Sequence, residues 1–444
     1  MLLAGDSTAG KTRAAFEAMT ATVADHVLIC PASREAIAAA VGRAAQARQC
    51  VLWLDDLESY LGIGGLTAAQ VGRLASRDRH HRVIIATLRA AEQARILAGG
   101  ASGDETPRQA LRESRQVLEQ AHLIRVSRMF NSLELERARA CDWDPRIAEA
   151  LAHSGAYGIA EYLAAGPELL RDWEDAHDSS AGPNTRGAAL VAAAIDIRRA
   201  GHTSPIPRGL LDQAHELYLD DPGHVRNPRE PPADAWAWAT RQRRATTALL
   251  QPAADDCVEV FDYLVDTIER RTPPGGHVPE AVVRAAVDSG DPADADSLAT
   301  MAYAQGRYAL AEHAYRRAYQ AKVSNPDLGA EHPGTLASRN GRASVLHDLG
   351  RLEEAEAGHR AVLEIRRRVL GPEHSRTLAS RDQHAADLHD LGRLEEAEAK
   401  HRAVLEIRRR VLGPEHPPRS SGCRSPISPP GFLLWVIVEF SPLR

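Results

Sequence analysis

Along the first third of the chain, unbroken apolar runs alternate with segments whose apolar residues recur at helical spacing. Leu2-Leu3-Ala4, Val27–Cys30, Cys50–Asp55, Arg82–Thr87 and His122–Val126 read as strands, and Lys11–Thr22 and Glu35–Gln46 as helices. Strands that are apolar throughout, not at alternate positions, predict a parallel sheet covered on both faces. From about residue 130 the strand signal fades. Leu133–Ala140, Ile147–His153 and Ala188–Arg199 read as helices, and Asp220–Ala233, rich in Pro, Asp and Arg, reads as a loop. Trp236–Ala239 then precedes Thr246–Leu250 and Val258–Leu264, which fit short strands or helix. A small helical or winged-helix-like region accommodates this pattern.

The pattern then repeats itself. Residues 332–373 and 374–415 agree at 34 of 42 positions, and a diverged third copy precedes them around Gln305–Glu312. Each copy reads as two helices broken at Leu-Gly-Arg, where glycine supplies the positive φ that ends the first helix. In the second helix Leu352, Ala355, Val362 and Val369 fall near one face. One copy cannot bury its apolar face alone, so the copies are expected to stack into a solenoid. After His416 the chain turns Pro- and Ser-rich, then apolar, without an amphipathic capping helix. Either the tail folds back as a cap, or the chain is a truncated version of a longer protein; the latter is the expectation.

Composition narrows the function classes. The chain is 44% hydrophobic and 26% charged, with a net charge of -6 that argues against a nucleic-acid surface. The run Arg79-His80-His81-Arg82 reads as a solvated loop before a strand. Cysteines 30, 50, 141, 257 and 423 form no C-x-x-C pair, which excludes the common zinc spacings and fits a reducing, cytoplasmic setting. Cys30 and Cys50 sit in apolar runs and are expected in the core. The late apolar run Phe432–Phe440 is far below the ~20 residues a membrane helix needs.

Gly5-Asp6-Ser7-Thr8-Ala9-Gly10-Lys11-Thr12 satisfies G-x-x-x-x-G-K-[ST] between a strand and a helix. Gly5 and Gly10 let the backbone approach phosphate, and N–H groups such as that of Ser7 bind the anion together with a helix N-terminus. Lys11 would reach the β- and γ-phosphates, and the Thr12 hydroxyl would ligate Mg²⁺. A buried strand ending in Asp55 would bring the second magnesium ligand, with Asp56 orienting or polarising the attacking water. Thr87 and Arg89 close another strand, where either would sense the γ-phosphate. No N-K-x-D occurs, which favours ATP over GTP. No other catalytic or metal-ligating constellation stands out.

This combination resembles the signal-transduction ATPases with numerous domains, the STAND class related to NB-ARC proteins. Gly5–Thr12, Leu54-Asp55-Asp56 and Ala86–Arg89 are the matching positions, although Leu88 stands between Thr87 and Arg89 where the family's sensor reads Thr-Thr-Arg. Ala165-Gly166-Pro167 would stand for the Gly-x-Pro element near adenine. The repeats resemble tetratricopeptide repeats of the kinesin-light-chain type through His-Pro-x-Thr-Leu at 332–336 and Leu-Gly-Pro-Glu-His at 370–374. The expected organisation is a P-loop NTPase domain at 1–128, a helical lid at 129–181, a helical or winged-helix-like domain at 182–288, a repeat array at 289–416 and an irregular tail at 417–444.

The resemblance implies an ATP/ADP- and Mg²⁺-dependent signalling switch with slow hydrolysis, whose repeats bind a protein or peptide. Self-association through solenoid edges fits as well. Two alternatives stay open: an interaction scaffold whose P-loop turns nothing over, and a transcription regulator acting through the middle domain. Five of the eight differences between the twin repeats cluster in the first helix. If that helix lines the concave face, Arg339, Asn340, Arg342, Arg381, Asp382 and His384 would form a partner-reading groove, with drift at solvated positions as the competing reading.

Overall fold

The computed structural model describes residues 1–412 except 35, 63–64, 76–79, 99–104, 178–183, 220–229, 244–246, 274 and 327. The tail from 413, Arg79 and most of the expected 220–233 loop lie outside the described residues.

Five strands, β1 (Leu2–Gly5), β2 (Val27–Ile29), β3 (Gln49–Leu54), β4 (His81–Arg89) and β5 (Leu123–Arg125), form a sheet in the order β2-β3-β4-β1-β5, every pair parallel. The expectation from the continuous apolar runs holds, and for the expected reason. Leu3, Val51 and Ile85 point to one face, onto Ala15 and Met19 of the helix Lys11–Thr22. Leu2, Leu52, Leu54, Ala86 and Leu88 point to the other, onto Ile37 and Val41 of the helix Ile37–Gln46 and onto Leu118. Each fully buried leucine contributes about 1.5–3 kcal/mol, so both faces must be apolar to hold the strands. Strand β2 departs from expectation. It is an edge strand, its Val27 and Leu28 are exposed, and so is Cys30, whereas Cys50 is core.

Beyond β5 come the helices Ser132–Arg139, Pro145–Ala152, Ile159–Leu163 and Gly166–His177. The first begins at a capping box in which Asn131 and Glu134 bond each other's backbone N–H, and Asp144 caps the second ahead of Pro145. The helix Thr185–Arg199 is the hub of the largest core. Its residues Gly187 to Ile195 are buried all round, and it packs on Gly166–His177, Arg208–Ala214, Pro232–Thr240 and Asp262–Arg271. A second, antiparallel sheet of β6 (Ile206–Pro207), β7 (Leu250–Pro252) and β8 (Cys257–Val260), ordered β6-β8-β7, resolves the strand-or-helix ambiguity: 258–260 is strand and the helix starts at Asp262.

The carboxy-terminal array consists of the helix pairs Ala295–Ala304 with Tyr308–Ser324, Pro333–Asp348 with Leu352–Leu370, and Ser375–Asp390 with Leu394–Leu412. Gly350 at φ 76° and Gly392 at φ 79° stop the first helix of each twin. Arg351 N–H then returns to Leu346 O at 2.9 Å and Arg393 N–H to Leu388 O at 2.8 Å, closing the helix end. Ala355 and Val362 are buried as expected, but Val369, near the end of its helix, is half exposed. The array returns to the first domain, where Arg376 meets Glu113 of the helix Glu105–Glu119 at 3.4 Å. Among the described residues, no helix is long and apolar enough to cross a membrane.

Candidate functional site

The carboxyl ends of β1, β3 and β4 converge because their registers align Gly5 with Arg89 and Leu54 with Ala86. The loop after β1 curls where Thr8 (φ 59°) and Gly10 (φ 88°) take left-handed conformations, a backbone shape of the kind from which anion sites are built. Gly5 is required for another reason: a Cβ there would lie 2.2 Å from Val126 O. Lys11 is buried and donates from Nζ to Gly5 O (3.0 Å) and Asp6 O (2.8 Å), so its charge is stored inside the loop.

Thr12, Asp55 and Thr87 meet beneath this loop. Asp55 Oδ1 accepts from Thr12 Oγ1 at 2.9 Å and from Thr87 Oγ1 at 2.6 Å. Thr87 Oγ1 in turn accepts from Asp56 N–H at 2.9 Å, which fixes the left-handed Asp56 backbone (φ 49°). The buried Thr87 hydroxyl therefore positions both acids. A hydroxyl beside a carboxylate is a hard-oxygen donor pair suited to magnesium, so Thr12 and Asp55 fit that ion. Among the described residues, no cluster of three or more His, Cys, Asp or Glu is placed to hold a metal. Burial raises the Asp56 carboxyl above its ordinary value, and the neighbouring Asp262 and Asp55 add to the shift.

Arg89 carries a partner that the sequence did not show. Its Nε donates to Glu58 Oε1 at 2.8 Å, so the guanidinium is paired with a carboxylate. Burial pushes the Glu58 carboxyl up to about 7 despite that partner. Sequence reasoning missed Glu58, although it directly follows the Asp55-Asp56-Leu57 segment. Ala165-Gly166-Pro167 is buried, with Gly166 against the Tyr263 ring. Beside the loop stands Ala160, 3.7 Å from where a Gly10 Cβ would lie. Ala160 lines an open apolar cleft of about 370 Å³ with Phe130, Ile147, Ile159 and Leu163.

The proposed repeat groove needs correction. Asn340 and His384 are buried, His384 pairing with Glu356 Oε1 at 2.7 Å. Arg342 donates to Glu312 Oε1 at 2.7 Å, Arg339 lies over the Tyr319 ring, and Asp382 pairs with His401 at 3.4 Å. Arg381 is partly exposed. The clustered differences follow the change of neighbour. The first twin packs on the helix Tyr308–Ser324, where Tyr315 would lie 2.6 Å from a Cβ on Gly341 and Glu312 takes Arg342. The second twin packs on Leu352–Leu370, where Glu356 takes His384 and His359 takes Asp387. Stacking between unlike copies therefore accounts for differences that the sequence assigned to a ligand.

Asp387 is the centre of this joint, buried and bonded to His347 Nδ1 (2.9 Å) and His359 Nδ1 (2.6 Å). Asp387→Val, which installs the residue of the first twin, is expected to cost about 2–3 kcal/mol by orphaning the buried His359. The Asp387 bond raises the His347 pKa, so that part of the stability is full below about pH 6.5 and is lost as the pH rises through the folded value. Urea melts should show the gap between wild type and variant narrowing from pH 6 to pH 9.

The family model described as tetratricopeptide repeat matches residues 335–376 and 377–418, and no curated protein matches the chain. Similar solved structures include a kinesin light chain from Podosopora anserina with nearly identical TPR-like repeats. That chain is 22% identical at a TM-score of 0.28, and the match covers 34% of this chain and 72% of that one. Another is a Signal Transduction ATPase with Numerous Domains (STAND) protein with a tetratricopeptide repeat sensor from Pyrococcus horikoshii. It is 13% identical at a TM-score of 0.35, and the match covers 93% of this chain and 62% of that one.

Proposed function

We propose that the chain is an ATP/ADP-binding signalling switch whose tetratricopeptide array receives a protein or peptide partner. The observation that carries this reading is the meeting of Thr12, Asp55 and Thr87 under a loop wound to hold an anion. Lys11 would leave the loop carbonyls for the β- and γ-phosphates, and the cleft at Phe130 and Ile159 has the size and apolar lining for a base. Thr12 and Asp55 would hold magnesium, which neutralises charge on phosphate oxygens when bound. Asp56, held by Thr87, would orient water for slow hydrolysis.

Switching requires that ATP and ADP bind two arrangements of the chain with different affinity. The contact between Arg376 and Glu113 joins the array to the nucleotide domain, so the two can respond to each other. Asp55→Ala is expected to remove the magnesium dependence of ATP binding and to lower turnover at least about a hundredfold, within the range seen for one preorganised electrostatic contact. Steady-state phosphate release with and without magnesium measures both. Turnover unchanged in the variant would contradict the assignment of Asp55.

One observation favours a second reading, a scaffold that binds nucleotide without turnover: Arg89 is committed to Glu58. Binding without phosphate release in the wild type would select it.

A further inference from the structure

The helix Asp262–Arg271 of the middle domain reaches back over the loop between β1 and its helix. Ser7 N–H donates to Asp266 Oδ2 at 2.8 Å, joining residues 259 positions apart. Asp266 is only 7% exposed, and its second oxygen, Oδ1, is buried with no hydrogen-bond partner. Half of a buried carboxylate is thus unsatisfied, which is costly wherever it occurs. The helix adds acids on the same side: Asp262 bears on Asp56, Arg89 and Asp266, and Glu269 on the same group of charges. Arg89 and Arg270 partly offset them.

Thr8 and Gly10 give the loop the backbone shape of an anion site, and the Asp266 carboxylate rests on its Ser7 N–H. A phosphate carries more oxygens and more charge than this single acceptor, and it would contact several N–H groups where Asp266 contacts Ser7. We propose that Asp266 is a built-in competitor of nucleotide phosphate: it occupies the Ser7 position of the cradle, and a nucleoside diphosphate or triphosphate binds only by displacing it. This rests on the nucleotide-binding reading above. It deepens that reading by naming the element that phosphate pushes, because the displaced helix leads through Glu280–Ser289 into the repeat array. Phosphate binding and array position are then linked by one side chain.

The test is ADP titration by calorimetry of the full chain as wild type, Asp266→Ala, Asp266→Asn, Glu269→Gln and Lys11→Ala, with melting curves to verify folding. The competitor predicts ADP affinity at least tenfold tighter in Asp266→Ala, an intermediate gain in Asp266→Asn and a smaller gain than either in Glu269→Gln, which only removes a nearby charge. Hydrogen exchange on the wild type should show the amides of 262–271 losing protection when ADP is added. Equal affinity in wild type and both folded Asp266 variants would overturn the competitor and leave nucleotide binding standing. Weaker binding in the variants would also overturn it, making Asp266 a ligand contact. If no variant binds ADP, the nucleotide reading fails first and the competitor with it. Should Asp266→Ala unfold, Asp266→Asn and the wild-type exchange experiment decide.

Discussion

Lys11→Ala should weaken ATP and ADP binding by a hundredfold or more. Lysine occurs in this chain only at 11, 322 and 400, so no other lysine stands near the loop to replace it. The ammonium is buried against Gly5 O and Asp6 O, and its removal takes away both the local positive charge and the donor for those carbonyls. A hundredfold loss corresponds to about 2.7 kcal/mol, within reach of one charge-assisted phosphate contact. Displacement of a fluorescent nucleotide measures the loss, and an unchanged far-ultraviolet spectrum separates it from unfolding. Affinity within threefold of wild type would mean that Lys11 meets no phosphate.

Glu161→Ala should produce the largest loss of stability. Glu161 is fully buried and accepts from Arg128 Nη1 at 3.3 and 3.2 Å and from Gly158 N–H at 3.0 Å, and it bonds the Tyr263 side chain. It therefore ties the end of the first domain and the helix at Ile159 to the helix Asp262–Arg271. Its removal leaves the Gly158 N–H and the Tyr263 hydroxyl without their acceptor, about 1–3 kcal/mol each, while the partly exposed Arg128 guanidinium adds less because water reaches it. Glu161→Gln should recover part of this, since the amide oxygen still accepts from Gly158. Guanidinium unfolding followed by tryptophan fluorescence measures both, and a loss below about 1 kcal/mol would show that water replaces the carboxylate.

The nucleotide-domain fold was legible in the sequence because its signals are local. Strands buried on two faces leave unbroken apolar runs, as Val51 to Leu54 do, and a loop that wraps an anion leaves glycines at fixed spacing. The repeats were legible because a Gly-Arg pair ends the first helix of each copy, at Gly306, Gly350 and Gly392. What the sequence hid depends on partners distant along the chain. Nothing near Arg89 shows that Glu58 will hold it, and nothing near Ser7 points to Asp266, 259 positions away. Glu161 falls in a segment with no strong periodicity, and although Gly158 caps its own helix, Arg128 and Tyr263 come from other elements. The groove expectation failed similarly: Gly341 is set by Tyr315, which lies outside both twins, and His384 by Glu356 in the second helix of the other twin, a stacking contact that aligning the copies does not show.

The central claim is that this chain binds ATP and ADP through the loop Gly5–Thr12, and calorimetric titration of both nucleotides into the wild-type chain, with and without magnesium, tests it most directly. The predicted result is saturable one-to-one binding that magnesium strengthens, with different affinities for ATP and ADP. A folded chain that takes up neither nucleotide would contradict the switch and leave the tetratricopeptide array as an interaction scaffold.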